Sequence, residues 1–339
     1  MSTLKDVADK AQVSVSTVSR VINNEPLVKP KTREKVESAI AQLNYMPNRV
    51  AQRLRSINTK NKLLGLVLPD IQNPFYVDVV RGVEGFAYQR NFSVMIGNFD
   101  QDESKEKMFL EILQSESIDG LIVAPSHGRD QHIEKVIENG YPVVCIDRGL
   151  IGTDVDVVKV NNQAGAFAAI EYLIKLGHRK IAHITGHPQI PTTMERVAGY
   201  EQAMSKHGVA IDSALVKNSQ SNYQSGADLM LELLRLPNPP TAVFTANNLL
   251  TLGALKTIHE SGLRIPEDIS IIGFDDMYWS MSLNPPLTAI RQSGQDIGRI
   301  ATEILLQKIT DPGRSTSSVV LDTELIVRRS CKALELVVG

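Results

Sequence analysis

The first 45 residues repeat apolar positions with the period of amphipathic helices. Leu4, Val7, Ala8 and Ala11 share one face of a first helix, and Thr3 with Asp6 three positions on has the pattern of a capping box that would start it. A break at Gln12-Val13-Ser14 leads to a second helix over 15–22, with Val18, Val21 and Ile22 inward and Val15, Ser16, Ser19 and Arg20 outward. After a loop over 23–30, a third helix over 31–43 brings Val36, Ala39, Ile40 and Leu43 to a small common core. Two short helices joined by a tight turn make a helix-turn-helix unit, whose second helix fits the DNA major groove.

Pro47 interrupts this pattern, and Asn48 can cap a short helix over 49–55. A segment this short is below the ~12–15 residues at which an isolated helix becomes even marginal, so it needs external support. Leu54 among Arg49, Arg53 and Arg55 suits a minor-groove wedge, with arginines on phosphates and an apolar side chain between base pairs. An ordinary charged linker fits these residues equally well, and they leave both readings open.

From residue 63 the period changes to alternating strands and helices. Strands are expected over 63–68, 92–96 and 120–124, with helices over 74–90 and 103–115. A second series follows the run 155–160: helix 164–176, strand 180–185, helices 196–207 and 224–234, strand 242–245, helix 250–261 and strand 269–274. Two successive βαβ series imply an α/β body of two doubly wound, parallel-sheet subdomains behind a small all-α head. Polar residues gather where these strands end: Asp70 and Asn73, Asn98, Ser126, Asp147 and Arg148, Asn247, and Asp275. Open α/β sheets bind ligands at that edge. Two such edges face to face would form a cleft of carboxylates, amides and arginines, with Phe75, Tyr76 and Trp279 as candidate stacking faces. That lining suits a polyhydroxylated ligand such as a sugar.

Charge sharpens the division. Residues 1–62 hold 12 Lys and Arg against 5 Asp and Glu, and the remainder 24 against 33, so a basic head sits on an acidic body. This is the pattern of a polyanion-binding head. Cys145 and Cys331 offer neither a disulfide framework nor a CxxC site, and the charged start Met1-Ser2-Thr3-Leu4-Lys5-Asp6 lacks the apolar run of an export signal. A cytoplasmic, reduced protein without membrane partner is expected. Neither GxGxxG nor GxxxxGK[ST] occurs, and Ala124-Pro125-Ser126-His127-Gly128 lacks the first glycine of a nucleophile elbow. His178, His183 and His187 lack the HExxH pairing. Enzyme, metal and cofactor functions are therefore not expected. A solute-binding protein would fit the body alone, but not the basic head or the missing export signal.

The head stretches Leu4-Lys5-Asp6-Val7-Ala8, 13–23, 31–36 and 43–48 resemble the lactose/galactose repressor (LacI/GalR) family in order and almost without gaps. The body resembles it throughout, in Asn73-Pro74-Phe75-Tyr76, Ile146-Asp147-Arg148, 196–200, 270–276 and 283–288 among others, and through it the periplasmic sugar-binding proteins. The resemblance implies a transcription regulator, a repressor first and an activator as the alternative, that pairs as a homodimer or higher assembly on a pseudo-palindromic double-stranded operator. A small-molecule effector would control it: a sugar first, a nucleoside or purine as the alternative. It further implies that Val15, Ser16 and Arg20 read bases, while Ser14, Thr17, Ser19, Asn23, Thr32 and Tyr45 fix the DNA backbone. Asn48, Arg49, Ala51 and Leu54 would act in a hinge helix formed on the operator. Phe75, Ser126, Asp147, Arg148, Arg196, Asn247 and Asp275 would line the effector cleft. Two positions depart from the family pattern: Val15 replaces a polar residue found in some members, and Asn248 stands where Asp is usual. The expected division is a head over 1–47, a hinge over 48–62 and a body over 63–339. Within the body, one subdomain takes about 63–160 plus 292–322 and the other 161–291 plus 323–339.

Overall fold

The computed structural model describes residues 2–22, 25–45 and 62–334. The expectations for Asn23, Asn48, Arg49, Ala51 and Leu54 lie outside the described residues. The chain divides into two compact units, Met1–Asn61 and Lys62–Gly339.

The first unit contains α1 (Leu4–Ala11), α2 (Val15–Ile22) and α3 (Pro30–Gln42). Thr3 and Asp6 do form a reciprocal capping box at the start of α1. The chain leaves α1 through Gln12 at φ 54, and Ser14 Oγ accepts from the Thr17 N–H at the start of α2. Val7, Val18 and Val36, one from each helix, are wholly buried together. Burial of side chains of this size contributes about 1.5–3 kcal/mol each, so this trio carries much of so small a core.

The second unit is built of two lobes. In the first, β1 (Leu63–Leu68), β2 (Ser93–Asn98), β3 (Gly120–Val123), β4 (Val143–Ile146), β5 (Asp156–Val160) and β11 (Ser318–Leu321) form a parallel sheet in the order β11-β5-β4-β3-β1-β2. The helices of this lobe are α4 (Pro74–Tyr88), α5 (Glu103–Ser115), α6 (Gln131–Glu138) and α11 (Gly294–Thr310). Apolar clusters lie on both sheet faces, one shared with α4 and α11 and the other with α5 and α6. The second lobe orders β12 (Glu324–Ile326), β10 (Thr288–Arg291), β9 (Ser270–Phe274), β8 (Ala242–Thr245), β6 (Ile181–Thr185) and β7 (Val216–Asn218) in that sequence. Strands β10 and β12 pair antiparallel, and its helices are α7 (Asn162–Lys175), α8 (Pro191–Lys206), α9 (Tyr223–Leu234) and α10 (Asn248–Glu260). The chain crosses between lobes after β5, after β10 and after β11.

Glycines set the close helix packing that holds the cleft-facing ends in place. A Cβ at Gly298 of α11 would collide with the Val79 carbonyl of α4, whose first turn carries Phe75 and Tyr76. The start of one helix and several whole elements differ from the sequence pattern. Helix α8 starts at Pro191, five residues before the expected 196, because Ile190 occupies its N-cap without a side-chain hydrogen bond and the polar start signal is missing. Helix α6, capped by Asp130, and β10 with α11 are elements that the pattern passes over.

Candidate functional site

In both lobes the second strand flanks the first on one side and the third flanks it on the other. Each sheet therefore has a switch point at the carboxyl ends of β1 and β3, or of β6 and β8. Adjoining crossovers run away from each other there and leave a crevice. The two crevices face one another. Pro69 and Asp70 after β1 meet Gly186 and Ile190 after β6 and Asn247 after β8 around a single cavity.

Asp147 and Asp275 occupy equivalent positions, immediately after β4 and β9. Both are in the left-handed region, at φ 65 and 79. Each donates its N–H to the adjoining strand, Asp147 to Val158 O and Asp275 to Ile290 O, both at 2.9 Å. Non-glycine residues persist in this region where surrounding contacts enforce it, and such positions gather at ligand sites. The result is one buried carboxylate in the cleft from each lobe.

These groups satisfy one another. Tyr76 OH donates to Asp147 Oδ2 at 3.0 Å and receives Arg148 Nη2 at 3.4 Å. Burial, reinforced by the Asp147 carboxylate, pushes the Tyr76 phenol well above its ordinary pKa, so it stays a donor. Arg196 donates through Nε to Asn162 Oδ1 at 2.9 Å and through Nη1 to the Ala246 carbonyl, with its guanidinium 3.7 Å above the Phe274 ring. Asp275 accepts Gln292 Nε2 on one oxygen and both the backbone N–H and the side-chain amide of Asn248 on the other. Its burial raises the Asp275 pKa, and the nearby Arg196 charge opposes that rise. The buried members are two arginines and two aspartates, and half-buried Asp70 adds one negative charge, so the lining is close to neutral and suits an uncharged, hydroxyl-rich ligand better than a strongly charged one.

The inner cavity has a volume of about 50 Å³. An adjoining chamber of about 190 Å³ is lined by Gln101, Ser126, His127, His187 and Gln220, and shares Arg148 with the inner one. Typical small-molecule sites hold roughly 300–1,000 Å³, so this cleft is closed and would widen for a ligand of that size.

The structure brings Phe75, Asp147, Arg148, Arg196, Asn247 and Asp275 together around the inner cavity. Asn247 also caps α10, accepting from Leu250 N–H at 2.8 Å. Ser126 lines only the outer chamber, and its hydroxyl turns back onto Glu106 and Asp130, at 3.0 and 3.3 Å. Of the three candidate stacking faces, Phe75 and Tyr76 reach the cleft, whereas Trp279 packs against the second lobe's core. Asn98 instead accepts the Ile71 N–H. His178 bridges Thr241 and the Lys332 carbonyl, and His183 is buried between Tyr200 and Phe244 with its pKa lowered to about 4 by burial. Sequence reasoning missed Gln292, Thr192 and Thr193. The two threonines sit in the first turn of α8, which the pattern started too late. Gln292 follows β10, so recognition of that strand would have extended the strand-end rule to it.

In the head, α2 presents Val15, Ser16 and Arg20 to solvent, and Ser14 is also exposed. Ser19, Thr17, Thr32 and Tyr45 are half-buried. Arg20 Nε lies 3.7 Å from Glu25 Oε2, and Arg33 holds the returning loop through the Val21 and Glu25 carbonyls. Among the described residues no helix is long and apolar enough to cross a membrane.

Comparisons with known proteins match these two units separately. Residues 3–48 match the family described as bacterial regulatory proteins, lacI family, and residues 170–331 match a periplasmic binding protein-like domain. The HTH-type transcriptional repressor CytR of Escherichia coli K12 is 34% identical over 334 residues, covering 98% of this chain and 97% of that protein. A lac repressor dimer bound to operator and the anti-inducer ONPF superposes with a TM-score of 0.86 at 30% identity, covering 98% of this chain and 99% of that one. A complex of the transcriptional regulator CelR with cellobiose gives 0.74 at 33% identity, covering 97% and 100%.

Proposed function

The chain belongs to the lacI family of bacterial regulatory proteins, and on that footing we propose that it is a cytoplasmic, non-enzymatic transcriptional repressor. It binds a pseudo-palindromic operator as a homodimer, and a small molecule held in the cleft of its body sets its DNA affinity. The observation that carries this reading is the pairing of an exposed, polar α2 face in the head with a two-lobed cleft in the body.

In this reading Val15, Ser16 and Arg20 reach base edges from the major groove. The exposed Val15 offers a methyl contact to thymine, and Arg20 offers donors to guanine. Ser14, Thr17, Ser19, Asn23, Thr32 and Tyr45 position the head on phosphates. Asn48, Arg49, Ala51 and Leu54 contact the minor groove. The effector is a sugar or sugar derivative, gripped by Asp147, Asp275 and Arg196 through hydroxyl groups, with Phe75, Arg148, Asn247 and Ser126 completing its surroundings. The cellobiose bound to CelR supports that ligand class.

Coupling need not be large. About 1–3 kcal/mol between cleft and hinge changes DNA affinity about 5–150-fold. The test is to select duplexes from a random pool with the full chain and measure their affinity by fluorescence anisotropy with and without a panel of sugars and nucleosides. One palindromic motif whose affinity shifts with a single sugar class is expected. Sequence-indifferent binding would overturn the regulator reading, and a response to nucleosides alone would replace the sugar.

A further inference from the structure

The lobes are joined by three crossovers, and near one of them Lys159 and Glu195 form an ion pair between them. Away from the crossovers, at the cleft itself, a different contact closes the gap. Asn248, the first residue of α10 in the second lobe, donates its side-chain amide to Asn73 Oδ1 in the first lobe at 2.7 Å. The same Nδ2 lies 3.2 Å from Asp275 Oδ2. Asn73 is the N-cap of α4, and its Oδ1 already accepts the Phe75 N–H at 2.9 Å. That capping bond requires the oxygen of Asn73 to face α4, so whatever meets it from the other lobe has to be a donor.

We propose that Asn248 is a positioning residue that latches the cleft shut, its amide bridging Asn73 of one lobe and Asp275 of the other. This proposal rests on the cleft being the effector site and deepens that reading. The side chain is fully buried at the point where two helix N-termini, those of α4 and α10, come together. A primary amide has two N–H donors, which matches the two acceptors that converge on it. A carboxylate at this position would face Asp275 and the Asn73 oxygen with no proton to give, and closure would become repulsive. The latch is also built to be displaced. Asn248 Oδ1 and Gln292 Oε1 are buried without a hydrogen-bond partner among the described residues. Gln292 and Asp275 both line the cavity, so a ligand rich in hydroxyl donors can satisfy the Gln292 oxygen while it competes for Asp275.

The test compares the full chain with Asn248→Asp and Asn248→Ala by small-angle X-ray scattering, without DNA or effector, at about pH 8 and about pH 5, a window chosen to span protonation of a buried aspartate. Circular dichroism checks folding. Asn248→Asp is expected to raise the radius of gyration at the higher pH by more than the parent's own change between the two conditions. It should return toward the parent at the lower pH, where the introduced carboxyl regains a proton to donate. Asn248→Ala should be expanded at both. Should either variant misfold, Asn73→Ser supplies the same test, since a hydroxyl still caps α4 but is too short to meet Asn248. A folded variant of any of the three with the parent's dimensions at about pH 8 would overturn the latch. Because no DNA or effector is present, that result would leave the regulator reading standing, and failure of the operator titration would leave the latch standing.

Discussion

Arg20→Ala separates base reading from mere electrostatic attachment. In the free head Arg20 is paired with Glu25 at 3.7 Å, with the two side chains 58% and 45% exposed. An exposed pair of this kind is worth about 0–1 kcal/mol, so its loss barely affects folding of the head. It is also weak enough for Arg20 to be recruited by DNA. A well-placed arginine on a guanine edge contributes about 1–3 kcal/mol of discrimination, which is about 5–150-fold in affinity. The expected outcome on the selected operator is a loss within that range, shrinking toward none on duplexes altered at the one base pair that Arg20 reads. Fluorescence anisotropy at several salt concentrations provides the second axis. A base contact leaves the salt dependence nearly unchanged, whereas a phosphate contact lowers its slope by about one. Glu25→Gln should act in the opposite direction, strengthening binding by no more than about fivefold as Arg20 is released. An equal loss on every duplex, with a reduced salt slope, would refute base reading by Arg20.

Three further outcomes are expected. Asp275→Ala removes the acceptor shared by Asn248 and Gln292 and the counter-charge of Arg196, so the effector should no longer shift DNA affinity while operator binding without it persists. Retained response in the anisotropy titration would mean that the cleft is not the effector site. Tyr76→Phe deletes a buried donor to a carboxylate and should cost about 1.5–3 kcal/mol of body stability in urea unfolding. Glu106, buried beside Asp130, has its pKa raised to about 8 chiefly by burial. The folded state therefore holds a proton that the unfolded chain releases above about 4.5, and the stability it contributes is lost as pH rises from there through about 8. Glu106→Gln should flatten that decline in thermal melts, and an unchanged slope would show that another group causes it.

Much of the site was legible because the signals behind it are local. Asp147, Asp275 and Asn247 could be placed in the cleft from one rule: they follow apolar strands, and parallel strands carry their carboxyl ends to one edge. Ser126 obeyed the same rule, yet its hydroxyl faces Glu106 and Asp130, because rotamer choice depends on neighbours that strand spacing does not reveal. Thr192 and Thr193 were lost with the true start of α8, where Ile190 replaces the polar cap that marks most helix starts.

Amino-acid order was sufficient for the head's three helices, the repeated strand–helix alternation and the opposite charges of head and body. Periodicity, capping and ionisation act over a few residues or none. Folding had to supply the rest. Asn73 and Asn248, 175 residues apart, become hydrogen-bond partners when the two lobes meet. Gln292 reaches Asp275 because β10 lies parallel beside β9 and brings its carboxyl end to the same edge. The cleft's closed state likewise belongs to the assembled pair of sheets, since contacts between distant segments depend on how whole layers pack and leave no period along the chain.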